Sequence, residues 1–271
     1  MTLTDLLKTS KKIVLKIGSN VLSNDEGCVD QDTVKSIVDQ VTDLMKDGKQ
    51  VIIVSSGAAI CGVGAINKWN RRGDINYKQA LCAIGQVELM LAYKNHFAEY
   101  GLHVGQLLLT SDDFSASTRN LNMRNTLFTL IDEGVVPIIN ENDTVSVEEF
   151  KIGDNDMLAA NTAAVWNADM LILMSDIDGL YDKSPKEYED AELIREVKDV
   201  NILAERIDAG EKSEFGTGGI TSKINAAKKM DKYGITTVLV NGKNLGILSR
   251  AKTDEVLATV FVPADVNSGH Y

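Results

Sequence analysis

Short apolar runs alternate with amphipathic segments along this sequence. Runs rich in Val, Ile, Leu and Met occupy residues 12–17, 51–54, 135–140 and 170–174. Such runs are typical of strands that are buried on both faces of a sheet. Residues 103–110 and 236–240 predict two further strands of the same kind.

The segments between these runs carry a helical period. Over residues 32–48, apolar side chains recur every three or four positions, which predicts an amphipathic helix ending at Gly48. Further helices are predicted over 77–100, 121–133, 157–166 and 221–233. Strands that alternate with helices form a parallel sheet covered on both sides. We therefore expect an α/β protein, a three-layer αβα sandwich with a central, mostly parallel sheet.

Small and polar residues follow the ends of four predicted strands. They are the segments 18–20 (GSN), 55–57 (SSG), 140–143 (NEND) and 175–176 (SD). Because ligands collect at the carboxyl ends of parallel strands, these four segments should face one crevice. Residues 182–214 are charged and only weakly periodic, and we expect an inserted or mobile segment there.

Composition narrows the possible partners. The chain has 271 residues and a formal net charge of −11, which disfavours binding to nucleic acids and anionic membranes. The three cysteines, Cys28, Cys61 and Cys82, form no CxxC pair, and residues 1–12 lack the pattern of a secretion signal. We therefore expect a cytoplasmic protein with inert thiols and no nucleic-acid or membrane partner.

Lys16 lies near the end of an otherwise apolar predicted strand. Burial of a lysine there is costly unless an anion neutralises it. Gly18 would let a ligand approach the backbone. These features favour a lysine that contacts phosphate, although a lysine at the sheet edge that extends its ammonium group to solvent remains an alternative.

A glycine-rich loop, FGTGGITSK, occupies residues 215–223. Its lysine does not follow a glycine directly, so it is not a Walker A loop. Three glycines allow successive N–H groups to surround an anion, and Thr221 and Ser222 are good N-cap residues. Lys223 in the first helical turn opposes the helix dipole, which predicts a bound anion. A flexible linker is the alternative.

Two loops rich in Asn and Asp, residues 140–144 and 151–156, flank one predicted strand-to-helix connection. Their side-chain oxygens suit the ammonium group of an amino acid, and amide N–H groups suit its carboxylate. Ser56 and the start of the helix after it could hold a carboxylate or phosphate. Each residue taken alone could equally be a solvated turn or cap residue.

Six motifs occur together in one order. They are KIGS (16–19), VSSGA (54–58), NEND (140–143), GDND (153–156), SDIDGLY (175–181) and FGTGGITSK (215–223). Their combination resembles the amino acid kinase family, and within it the members that act on glutamate. The resemblance implies the carbamate kinase-like fold and phosphorylation of the side-chain carboxylate of L-glutamate by ATP with Mg²⁺, the first step of proline biosynthesis.

The resemblance also assigns roles to residues at matching positions. Lys16 and Lys223 would contact the transferring phosphoryl group, and Asp156 would orient them. Glutamate would be bound by Ser56, Gly57, Asp143 and Asn155. ATP would be bound by Lys16, Ser175, Asp176, Thr217, Gly218, Gly219, Ile220, Thr221, Ser222 and Lys223. No residue is assigned to a metal, because Mg²⁺ is expected to bind mainly through the nucleotide phosphates.

The family implies one kinase domain over residues 1–271, with a glutamate-binding lobe at about 1–165 and a nucleotide-binding lobe at about 166–265. We expect the short form, without the C-terminal PUA domain that many members carry. A homo-oligomer, either a dimer or a tetramer, and feedback inhibition by proline are further expectations that the resemblance carries.

Other functions stay open at this point. Acetylglutamate, aspartate, carbamate and uridylate kinases share the family, although NEND with GDND favours glutamate. A non-catalytic sensor of amino acid and nucleotide is disfavoured because both lysines and Asp156 are present. A Rossmann dehydrogenase fails on its incomplete glycine fingerprint. Asn20, Ser175 and Ile220 depart from the residues that are usual in the family.

Overall fold

The computed structural model describes residues 1–24, 28–67, 74–146, 155–185, 187–208 and 219–264. Ten strands lie in these ranges. They are β1 (Lys12–Ile17), β2 (Gln50–Ser55), β3 (Val104–Leu109), β4 (Val136–Glu141), β5 (Met170–Ser175), β6 (Leu180–Tyr181), β7 (Leu193–Ile194), β8 (Glu196–Val197), β9 (Thr236–Asn241) and β10 (Ala258–Phe261).

Eight of these strands form one sheet in the order β3-β4-β2-β1-β5-β9-β10-β8. Neighbouring strands in this sheet pair in parallel, except that β9 and β10 are antiparallel. β6 and β7 form a separate antiparallel pair. The prediction of a mostly parallel sheet is confirmed, with β1 near its centre between β2 and β5.

The described residues contain eleven helices. They are α1 (Leu3–Thr9), α2 (Ser19–Leu22), α3 (Gln31–Lys46), α4 (Ala58–Ile66), α5 (Ile75–Ala98), α6 (Ser111–Ser115), α7 (Ser117–Asp132), α8 (Asn155–Trp166), α9 (Val200–Asp208), α10 (Ile220–Asp231) and α11 (Ile247–Ala251). None of the described helices is long and apolar enough to cross a membrane.

The helices cover both faces of the sheet, and residues of β1 alternate between the two cores. Ile13, Leu15 and Ile17 pack in a core that includes side chains of α3, α5 and α11. Val14 packs in the opposite core, with side chains of α7, α8 and α10. Successive side chains of a strand point to opposite faces, so Lys16 lies on the same side as Val14. The strand therefore directs Lys16 toward α8 and α10.

The apolar pattern placed the long elements within a few residues and missed the short ones. Polar first turns carry no apolar signal, so α7 begins at Ser117 rather than at residue 121 and α8 at Asn155 rather than at 157. The pattern missed α1, α6, α11 and β10. In the charged segment 182–214 it missed β8, which pairs with β10 at the edge of the sheet. That part of the segment belongs to the fold; residues 186 and 209–214 lie outside the described residues.

Two glycines allow α4 and α5 to pack backbone against backbone. A Cβ atom at Gly85 would lie 1.8 Å from the carbonyl oxygen of Ala58 and 2.2 Å from the backbone nitrogen of Gly62. A Cβ atom at Gly62 would lie 2.0 Å from the carbonyl oxygen of Leu81. Because backbone atoms cannot rotate away, any side chain here would separate the helices. This contact fixes the position of Ala58, the first residue of α4.

We expect Gly85→Ala to lower the free energy of unfolding by about 2 kcal/mol or more, because overpacking at a backbone contact forces the two helices apart. Gly64→Ala in α4 is the matched control, since its Cβ would meet Cys28 Sγ at an ordinary 3.5 Å. Urea denaturation of both variants and the wild type measures the difference. Equal stability of the two variants would contradict this account of the helix contact.

Candidate active site

A cleft opens at the carboxyl ends of β1, β2, β4 and β5. Its lining includes Gly18, Ser19, Asn20, Ser56, Gly57, Asn140, Glu141, Asp143, Ser175 and Asp176. All four polar segments that the sequence predicted to face one crevice therefore contribute to it. Lys16, Asn155, Asp156, Gly219, Ile220, Ser222 and Lys223 complete one wall and the floor.

The floor of the cleft holds one carboxylate between two lysines. Lys16 Nζ lies 2.6 Å from Asp156 Oδ1, and Lys223 Nζ lies 3.2 Å from Asp156 Oδ2. The three residues come from β1, α8 and α10, and they are 6%, 1% and 8% exposed in the order Lys16, Asp156, Lys223. The convergence of the two lysines that the sequence predicted is therefore present in the fold.

Burial and charge act against each other in this trio. Burial opposes ionisation of Asp156, but the attraction of Lys16 and Lys223 outweighs it and holds the pKa of Asp156 below its ordinary value. Burial lowers the pKa of Lys16, and repulsion from Lys223 adds to this effect while Asp156 opposes it. Two ammonium groups share one carboxylate, so the trio carries one uncompensated positive charge when all three are ionised. An anion in the cleft would neutralise it.

The start of α10 differs from the predicted capping. Thr221 and Ser222 were predicted as N-cap residues, but Gly219 occupies the N-cap and makes no side-chain capping bond. Ser222 instead lies in the first turn, where its hydroxyl donates to Asp156 Oδ2 at 2.6 Å. The prediction was wrong because Gly219 adopts a right-handed helical conformation, which moves the start of the helix toward the glycines.

The residues of the predicted nucleotide loop fall into three groups. Gly219, Ile220, Ser222 and Lys223 line the cleft. Thr221 is half-buried and is not among the residues that line it. Thr217 and Gly218 lie outside the described residues.

Ser175 and Asp176 form the side of the cleft next to β5. The Ser175 hydroxyl lies 3.2 Å from Asp176 Oδ1, and Asn20 Nδ2 donates to Asp176 Oδ2 at 3.0 Å. Burial opposes ionisation of Asp176, but these hydrogen bonds outweigh it and lower the pKa of Asp176. Asn20, which departs from the residue usual in the family, therefore connects the end of β1 to the end of β5.

The opposite side of the cleft holds the residues predicted to bind an amino acid. Asn155 Nδ2 donates to Ser56 Oγ at 2.7 Å and to Asn140 Oδ1 at 3.0 Å. Gly57 precedes α4 with a φ of +104°, a conformation that favours glycine. Asp143 lies beside Cys82. Ser56, Gly57, Asp143 and Asn155 thus lie along one side of the cleft.

Sequence reasoning missed residues that α5 contributes to the cleft. Lys78 and Cys82 line it, and Gln86 contacts Asn140 behind it. The sequence predicted only a helix over residues 77–100, and a single lysine in a first turn carries no distinguishing pattern. Burial raises the pKa of the Cys82 thiol, and Asp143 adds to this rise, so the thiol stays protonated.

The N-termini of α4 and α10 face the cleft. Among the described residues, no side chain caps the N-terminus of α4 after Gly57 or of α10 after Gly219. Uncapped N–H groups at a helix start attract anions. The described residues contain no group of three or more His, Cys, Asp or Glu side chains that could hold a metal ion. The chemistry of the cleft therefore suits anions held by lysines and backbone amides.

We expect Asp156→Asn to lower the free energy of unfolding by about 3–5 kcal/mol, because two buried lysines lose their shared counterion. The matched control is Asp190→Asn, which removes an exposed pair with Lys183 at 2.6 Å and should change stability far less, because solvent screens exposed ion pairs. Urea denaturation near pH 7 compares them.

The stability difference between the wild type and Asp156→Asn should also depend on pH, in a direction set by the pKa of Asp156. The pKa of Asp156 is lowered in the folded state, so its contribution is present above the ordinary pKa of 3.8 and lost as pH falls through the folded value. The stability difference between wild type and Asp156→Asn should hold near neutral pH and shrink below about pH 4. A difference that grows on acidification would contradict the ionised trio.

Comparisons with known proteins agree with the fold and the motifs. The model of the amino acid kinase family matches residues 11–241. Glutamate 5-kinase from Alkaliphilus oremlandii is 60% identical over 96% of this chain and 98% of its own length. Glutamate 5-kinase from Alkaliphilus metalliredigens is 58% identical over 95% of this chain and 97% of its own length.

A solved structure with low sequence identity shares the architecture. UMP kinase from Ureaplasma parvum superposes with a TM-score of 0.65 at 18% identity, covering 93% of this chain and 99% of its own. The family model spans most of the chain, and the two glutamate 5-kinases from Alkaliphilus match this chain over nearly its whole length. The chain belongs to the amino acid kinase family.

Proposed function

We propose that this chain transfers the γ-phosphoryl group of ATP to the side-chain carboxylate of L-glutamate, giving ADP and L-glutamyl 5-phosphate. The observation that carries the proposal is the Asp156 carboxylate held between Lys16 and Lys223 on the floor of the cleft. The relatives from two Alkaliphilus species support the choice of glutamate among the substrates of the family. The product would enter proline biosynthesis.

The reaction breaks the bond between the γ-phosphorus and the bridging oxygen of ADP, and it forms a bond from the same phosphorus to a carboxylate oxygen. The ordinary pKa of a Glu side chain is about 4.3, so the acceptor is already ionised near neutral pH. No proton must be removed from the nucleophile, and the site needs no general base. Catalysis then depends on alignment and on stabilisation of negative charge.

Lys16 and Lys223 supply that stabilisation in the proposed mechanism. Their ammonium groups approach from β1 and α10, on opposite sides of the Asp156 carboxylate. A phosphoryl group between donor and acceptor spreads charge over its outer oxygens, and two ammonium groups already in place can receive it without rearrangement. Asp156 orients both lysines, and Ser222 holds the carboxylate through its hydroxyl.

In the proposed arrangement, the N-terminus of α10 faces ATP and the N-terminus of α4 faces glutamate. The N-terminus of α10 lies next to Lys223, where it suits the phosphates of ATP together with Gly219, Ile220 and Ser222. Thr221, which does not line the cleft, stays a predicted ATP contact. Ser175 and Asp176 would contact the nucleotide from β5. Thr217 and Gly218 stay predicted ATP contacts outside the described residues. Mg²⁺, held mainly by the nucleotide phosphates, would add positive charge at the reacting group.

Glutamate would lie on the other side, against α4. Its carboxylates suit the N–H groups after Gly57 and the Ser56 hydroxyl. Its ammonium group suits the oxygens of Asp143 and Asn155. In this arrangement the glutamate-binding lobe (1–165) supplies Lys16 and Asp156, and the nucleotide-binding lobe (166–265) supplies Lys223. The trio would then join two lobes of one domain, while a homo-oligomer and inhibition by proline stay predictions.

A substrate panel tests the proposed reaction. We expect the purified protein with Mg-ATP to release ADP in the presence of glutamate and to act far less on acetylglutamate, aspartate, carbamate or UMP. The cleft offers partners for two carboxylates and an ammonium group in one molecule, a set that acetylglutamate, carbamate and UMP lack. Aspartate carries the same groups, but its side chain is one methylene shorter, so its carboxylate would not reach the transferring phosphoryl group. Turnover of a different acceptor, or binding of glutamate and ATP without turnover, would refute the proposal.

We expect Lys223→Met to reduce turnover by about 10² to 10³-fold, by analogy with loss of one donor that stabilises a developing anion. Lys228→Met is the matched control, because Lys228 lies on the same helix and does not line the cleft. ADP release at saturating substrates measures both variants, and thermal unfolding checks their fold. Near-normal turnover in a folded Lys223→Met protein would remove this lysine from the mechanism.

A further inference from the structure

A buried chain of side-chain amides runs from α5 to the amino-acid side of the cleft. Asn140 Nδ2 donates to Gln86 Oε1 at 2.8 Å, and Asn155 Nδ2 donates to Asn140 Oδ1 at 3.0 Å. Asn155 Nδ2 also donates to Ser56 Oγ at 2.7 Å. Gln86 and Asn140 are 8% and 2% exposed, so bulk water does not compete for these hydrogen bonds.

One backbone N–H group determines which atom donates and which accepts in every hydrogen bond of this series of side-chain amides. The backbone N–H of Glu141 donates to the Asn140 side chain at 2.9 Å, and a backbone N–H can only donate. The Asn140 atom that it meets must therefore be the oxygen. The Asn155 atom that shares this oxygen must be the amide nitrogen, and the other end of Asn140 must donate to an oxygen of Gln86.

The fixed direction determines what the cleft presents to a ligand. Ser56 Oγ accepts from Asn155, so the Ser56 hydroxyl proton is available to an anion in the cleft. Asn155 has its nitrogen engaged, and its Oδ1 has no hydrogen-bond partner among the described residues. Ser56 is thus set as a donor toward the cleft, as a carboxylate requires, while the buried Asn155 oxygen keeps its acceptor capacity unused.

We propose that Gln86 is a positioning residue for the amino-acid substrate, acting through Asn140 and Asn155 on Ser56. Gln86 does not line the cleft that holds Ser56 and Asn155; it lines a neighbouring cavity that shares Cys82, Glu141 and Asp143 with that cleft. The hydrogen bonds through Asn140 and Asn155 connect Gln86 to Ser56. Without the Gln86 oxygen, the Asn140 amide nitrogen loses its acceptor, and the orientation of Asn140 and Asn155 is less strongly determined. This inference rests on the proposed function and deepens it.

The test compares steady-state kinetics of two substitutions. Gln86→Met keeps an unbranched side chain of similar length but replaces the acceptor oxygen, whereas Gln86→Glu keeps an oxygen at the same place. We expect Gln86→Met to raise KM for glutamate about three- to tenfold and to leave KM for ATP within about twofold. Gln86→Glu should recover most of the loss. Should Gln86→Met fail to fold, Gln86→Leu replaces it.

A double-mutant cycle with Ser56→Ala distinguishes positioning from packing. If Gln86 acts through Ser56, Gln86→Met should change KM for glutamate by less than about twofold once Ser56 is Ala. The inference would be overturned if the increases in KM for glutamate caused by the two substitutions simply multiply in the double variant. It would also be overturned if Gln86→Met raises KM for glutamate and KM for ATP equally. Neither result affects the proposed function, provided that the wild type turns over glutamate. No turnover of glutamate by the wild type would overturn the proposed function, and the inference with it.

Discussion

Asp156 pairs with Lys16 through Oδ1 and with Lys223 through Oδ2 in a nearly dry part of the cleft, and the geometry of the site depends on that shared carboxylate. Charges buried this deeply lose hydration, and mutual attraction must offset the loss. The two lysines and Asp156 carry a net charge of one positive, and the nearby carboxylate of Asp176 offsets part of it. The arrangement therefore holds the ammonium groups in place before an anion arrives, and it is stabilised further when one does.

The local charge matters because the protein as a whole is acidic, with a formal net charge of −11. At physiological ionic strength, exposed charges are largely screened beyond about 8 Å, so the distant carboxylates act weakly on a bound anion. The lysines and the helix starts at α4 and α10 act at contact distance and inside a cleft. Two anionic substrates can thus be brought together on a protein whose surface does not attract them at long range.

The long elements and much of the site could be predicted because their signals are local. β1 and β5 are apolar on both faces, and the polar turns after them lie where a parallel sheet places ligands. The trio could be anticipated from the family motifs, but its distances follow from strand alternation and from the packing of α8 and α10. The alternation of side chains along β1 places Lys16 on the same face as Val14, and this position directs Lys16 toward α8 and α10.

Other features have no local signal. The start of α10 depends on the conformation of Gly219, which leaves Ser222 free to contact Asp156 rather than cap the helix. Gln86 lies on α5, where the sequence predicts a helix but marks no functional residue. Asn140, which donates a hydrogen bond to Gln86, is 54 residues away in the sequence. β8 is two residues long, and only its pairing with β10 defines it as a strand. The backbone conformation of one glycine decides the first feature, and contacts between distant residues decide the other two.

A crystal structure with Mg-ADP, glutamate and a planar mimic of the transferring phosphoryl group tests the central claim most directly. We expect the Nζ atoms of Lys16 and Lys223 both to lie within about 3 Å of oxygen or fluorine atoms of that mimic, with Asp156 still between them. A mimic bound with either ammonium group turned away, or elsewhere in the molecule, would contradict it.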